Sequence, residues 1–113
     1  MTLYNPKPEI YSALSELGYY VAQSSQNTFP TVPAITYKIS GNSPEYCLDK
    51  ELAKQDVTVT LDIWTNDTET GSQILTEAEA KMLSIDYRLK TSLDVPAPQG
   101  TLAHINATFV GIK

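Results

Sequence analysis

The stretch Val57-Thr58-Val59-Thr60-Leu61-Asp62-Ile63-Trp64-Thr65-Asn66 decides how the chain is read. Val57, Val59, Leu61 and Ile63 fall on alternate positions, interleaved with Thr58, Thr60, Asp62 and Trp64, which is the repeat of a pleated strand with one buried face. Six of these ten residues are β-branched; such side chains fit a pleated surface and lose rotamer freedom in a helix. Pattern and propensity together predict a central strand. The remaining segments either pair with it or cover its apolar face.

Downstream, Asp67-Thr68-Glu69-Thr70-Gly71-Ser72 offers several helix N-caps, and Ile74, Leu75, Ala78, Met82 and Ile85 then recur at three- and four-residue spacing. The spacing predicts a helix from about Ser72 to Leu83, with the pattern carrying as far as Leu89. Glu77 and Lys81 stand at i and i+4 on its outward face, in the favourable order. Asp94-Val95-Pro96-Ala97-Pro98-Gln99-Gly100 reads as a proline-rich loop. In the last stretch, Ala103, Ile105, Ala107 and Phe109 share one face before Val110 and Ile112 fall on the other, a phase change that predicts a bulge or burial of both faces.

Upstream, Ile35, Tyr37 and Ile39 alternate with Thr36, Lys38 and Ser40 to give a second clear strand. Gly41-Asn42-Ser43-Pro44 reads as a turn, Glu45 to Asp49 as a short edge segment, and Lys50 to Asp56 as a charged connection. Nearer the start, Ile10, Ala13, Leu14 and Leu17 predict a helix from about Pro8 to Leu17, with a proline in its first turn and Gly18 at its end. Tyr19-Tyr20-Val21 opens a strand, and Gln23 to Thr28 is a polar exposed loop. Phe29 to Pro33 is held extended by two prolines.

At 113 residues this is one domain with a single core. The expected architecture is α+β: a two-layer sandwich of a mainly antiparallel sheet, ordered as a meander, with both helices packed on one face. The net charge of −5 and the scattered basic residues argue against a protein that grips nucleic acid through its phosphates. No apolar run reaches the roughly 20 residues that span a bilayer. The first residues lack the basic and apolar regions of a signal peptide, which places the chain in the cytosol by expectation.

Chemistry-bearing residues are few. One cysteine, Cys47, and one histidine, His104, leave no disulfide and too few ligands for a zinc site. Cys47 reads as a structural thiol and His104 as an exposed strand histidine, so a Cys-His dyad is the weaker account. Glu77 and Glu79, two apart on a helix, do not face each other and read as a solvated acidic face. The glycines are too far apart for a phosphate-cradling loop. The expectation is therefore no catalytic residue, no metal and no cofactor. Trp64, on the face of the central strand opposite its apolar residues, is either covered there by its own chain or meets a partner subunit.

The combination Val32-Pro33-Ala34-Ile35-Thr36-Tyr37, then Ser43-Pro44-Glu45-Tyr46, then Val57 to Trp64, a helix and a closing Ile105-Asn106-Ala107-Thr108-Phe109 resembles the tail completion and tail-terminator proteins of long-tailed bacteriophages and prophages. The resemblance runs from about Ile10 to Ile112 and rests on structural positions. It implies a subunit that assembles with itself into a ring, a hexamer matched to the tail tube, at the head-proximal end of the tail. Its partners would be the tail tube protein and a head-tail connector protein, without nucleic acid or membrane contact of its own. The virion, and the host cytoplasm during assembly, are the implied locations. Glu45, Tyr46, Trp64, Asn27, Phe29 and Pro96 are the candidate contact residues, and the loops Gln23 to Thr28 and Asp94 to Gly100 are expected to order on assembly. The alternatives are another small neck connector of the same virion, and a cytosolic ligand- or peptide-binding α/β module whose sheet face holds a ligand near Trp64 and Tyr37.

Overall fold

The computed structural model describes residues 5–23, 32–46, 48, 52–95 and 103–112. In chain order the elements are α1 (Lys7–Ser15), β1 (Tyr20–Gln23), β2 (Ala34–Tyr46), β3 (Leu52–Thr65), α2 (Thr68–Ser84), β4 (Arg88–Val95) and β5 (Ala103–Ile112). The strands form one sheet in the order β1-β2-β3-β5-β4. β3 is its middle strand, as the alternation in its sequence requires. Val57, Val59, Leu61 and Ile63 are all buried, together with Ile35 and Tyr37 of β2 and Ile105, Ala107 and Phe109 of β5. Ile10 and Leu14 of α1 and Ile74, Ala78 and Met82 of α2 close the same core, so both helices cover one face of an α+β two-layer sandwich.

Local chemistry fixes the helix ends. α1 carries a proline in its first turn, and Gly18 follows at φ +87°, the left-handed backbone that glycine adopts without strain. α2 begins at Thr68 rather than near Ser72, because the Asp67 carboxylate accepts a hydrogen bond from the Thr70 backbone N–H at 2.7 Å and caps the first turn. Gly71 lets α2 sit close to the sheet: a Cβ there would stand 3.0 Å from Cδ1 of Ile105.

Four expectations need correction. The sheet is mainly antiparallel but no meander, since β1 pairs parallel with β2 and β5 inserts between β3 and β4. Gly41 to Pro44 is not a turn: β2 continues through it to Tyr46 and pairs with a β3 that already starts at Leu52, inside the segment read as a charged connection. A bulge at Ser40 absorbs the irregularity, and β1 pairs only with residues 34–37, so Pro44 lies on an edge where a missing N–H is tolerated. Residues 88–95 form a strand that the periodicity missed, and it takes in Asp94 and Val95 of the expected loop. Finally, β5 runs against β3 without a register shift, and Val110 and Ile112 remain exposed. The apparent change of phase comes from Gly111, which takes the core-face position where the Tyr87 ring lies over the strand.

Candidate functional site on the open sheet face and the hairpin arm

The face of the sheet away from the helices carries a polar cluster built by strand register. Trp64 of β3 lies opposite Ala34 and His104, and Asp62 lies opposite Thr36 and Asn106. The Trp64 indole stacks on the His104 imidazole, with ring centroids 3.8 Å apart and planes at 13°. Its N–H donates to the Thr36 hydroxyl at 3.2 Å. Asp62 Oδ1 lies 2.6 Å from His104 Nε2, reached on the diagonal between strands, and also accepts from Asn106 Nδ2 at 2.9 Å.

His104 is therefore not the exposed strand histidine the sequence suggested. Its side chain is 17 % exposed and that of Asp62 14 %. A carboxylate that fixes one imidazole nitrogen is the orienting half of a general-base arrangement. Among the described residues no hydroxyl or thiol is hydrogen-bonded to the ring to complete it, so the geometry orients and pins the two central strands. The alternation of outward residues on β3 and β5 held the signal for this cluster; what it lacked was the register.

The ligand site imagined near Trp64 and Tyr37 does not form. Tyr37 pairs with Leu61 and is buried beneath the helices, where burial raises its pKa above the ordinary value, whereas Trp64 belongs to the opposite face. Glu77, read as part of a solvated acidic face, accepts a hydrogen bond from the Tyr19 hydroxyl at 2.8 Å. That bond, with a smaller effect of burial, holds the Tyr19 pKa above its usual value. Lys81 reaches Glu16, at the C-terminal end of α1, at 3.3 Å rather than Glu77, so Lys81 ties α2 to the end of α1 and Glu77 ties it to the connection between α1 and β1.

The second feature is an arm. Among the described residues β5 accompanies β3 only as far back as Asp56 and β1 pairs with β2 only up to Tyr37, so there the outer rungs, Pro44 with Gln55, Glu45 with Lys54 and Tyr46 with Leu52, have no third strand. The molecule is elongated, 55 Å against 25 and 24 Å. Tyr46 is 60 % exposed and Leu48 beyond it fully exposed. Glu45 and Lys54 form an ion pair across the arm at 3.7 Å, and the Gln55 amide donates to Asn42 Oδ1 at 2.9 Å.

Of the candidate contact residues, Glu45 and Tyr46 sit together on this arm, and Trp64 sits apart in the open-face cluster. Asn27, Phe29 and Pro96 lie outside the described residues, as does Cys47. Among the described residues no group of His, Cys, Asp and Glu could hold a metal ion, and no helix is long and apolar enough to cross a membrane. Comparison with protein-family models and with curated protein sequences finds no match.

Proposed function

We propose that this chain is a structural subunit at the head-proximal end of a long bacteriophage tail, which ends polymerisation of the tail tube and forms the surface joined by the filled head. The observation that carries the reading is the β2–β3 arm. A two-stranded ribbon with Tyr46 and Leu48 at its end exposes apolar surface that a monomer gains nothing by displaying and that assembly would bury. The outer edge of β4, which pairs with no further strand among the described residues, offers a second surface for contact. The sequence resemblance through β2, β3 and β5 supports reading that assembly as part of the virion.

On this reading the chain acts by geometry, and no side chain performs a reaction. Particles made by a phage lacking the protein should appear in electron micrographs as filled heads apart from tails, with the tails unterminated or abnormally long. Supplying the Cys47→Ser/His104→Ala double variant should restore joined virions. Normal virions without the protein, or failure of a well-folded double variant, would overturn the proposal.

A further inference from the structure

Behind the base of the arm lies an open groove of about 640 Å³, within the size range of pockets that take a small ligand or a few side chains. Val57, Leu83, Val110 and Ile112 give it an apolar floor and rim. Asp56, Asp86 and Arg88 also line it, and none of the three joins an ion pair among the described residues. Leu83 and Ile112 are both half-exposed or more.

We propose that this groove receives the arm tip of a second copy of the chain. The tip carries what the groove lacks: two exposed apolar side chains, Tyr46 and Leu48, flanked by one acidic and one basic group, Glu45 and Lys54. Arg88 faces the incoming Glu45, and Asp56 and Asp86 face Lys54, so charge as well as apolar surface is complementary. A chain cannot fill its own groove. Four residues of extended β3 separate Leu52, which lies opposite Tyr46 on the outermost described rung, from Asp56, about 13 Å at the rise of a strand, and the arm points away.

Tip and groove are different surfaces, so the contact is heterologous, and repeating it generates a ring where the rotation closes. The inference rests on the assembly reading above and supplies its subunit contact. Sedimentation velocity over a wide range of concentration tests it. The wild-type chain should form assemblies larger than a dimer. Tyr46→Glu/Leu48→Glu at the tip and Ile112→Glu in the groove should each weaken association about thirtyfold or more, the effect of losing an interface hot spot. Leu83→Glu, on the exposed side of α2, provides a second groove variant.

An equimolar mixture of tip and groove variants retains one intact tip and one intact groove, and should stop at a heterodimer. A wild-type chain that stays monomeric, a tip variant that assembles like wild type, or a mixture that fails to pair would each overturn the tip-in-groove contact. The micrographs of particles lacking the protein judge the tail role separately.

Discussion

The His104 imidazole lies nearly parallel to the Trp64 indole at 3.8 Å and is held there by Asp62 on the neighbouring strand. Since Trp64 is the chain's one tryptophan, its fluorescence reports on the surroundings of this ring, of which the His104 stack is one part. His104→Ala should leave the far-ultraviolet circular dichroism intact and shift the emission to the red as water reaches the uncovered ring face. Asp62→Ala should cost about 1–3 kcal/mol, because it leaves two largely buried polar partners unsatisfied. Unchanged emission in His104→Ala would show that the rings do not stack in solution.

Leu61 lies between Tyr37 and Ala107 at the centre of the core and is fully buried. Leu61→Ala should destabilise the fold by about 2–5 kcal/mol through lost transfer energy and a residual cavity. Denaturant melts check this. A loss well under 1 kcal/mol, about the low end for a deleted core methyl group, would make β3 peripheral.

Gly111 marks a tight approach of a different kind. A Cβ there would stand 2.8 Å from Cδ1 of the buried Tyr87 ring and 3.0 Å from the Asp86 carbonyl oxygen, neither of which can swing away like a flexible surface side chain. Gly111→Ala should destabilise by about 1–3 kcal/mol from overpacking. Equal stability would mean that Tyr87 does not lie over β5.

These residues also show where the sequence is legible. β3 could be read because one of its faces is buried and the other polar, and the helices because their stripes fit the same face. β4 could not: it lies at the edge with nearly every side chain exposed, so no burial imposes a period of two on Arg88 to Val95. Gly41 to Pro44 has the composition of a turn, yet β2 passes through it on an edge where, among the described residues, no strand lies outside it and Pro44 has no ladder bond to donate. The Asp62–His104 pair joins residues 42 apart, and its existence depends on a register that neither strand encodes alone.

The cap of α2 makes a pH prediction. Hydrogen bonds from the backbone N–H and then the hydroxyl of Thr70 hold the Asp67 pKa below its ordinary value. A lowered folded-state pKa contributes stability that is present above the unfolded value, about 3.9, and is lost as pH falls through the folded one. Asp67→Asn keeps a capping oxygen without the charge. Denaturant midpoints followed from neutral pH to below about pH 4 should therefore fall more steeply for wild type than for the variant. Parallel curves would rule out this carboxylate as a contributor.

The tail assignment is tested most directly on tail tubes themselves. Tubes recovered from particles lacking the protein would be incubated with the gold-labelled chain, then offered fresh tube subunits and viewed by electron microscopy. The account predicts label at a single end of each tube and no further growth from that end. Label scattered along the tubes, or tubes that bind none and continue to lengthen, would contradict it.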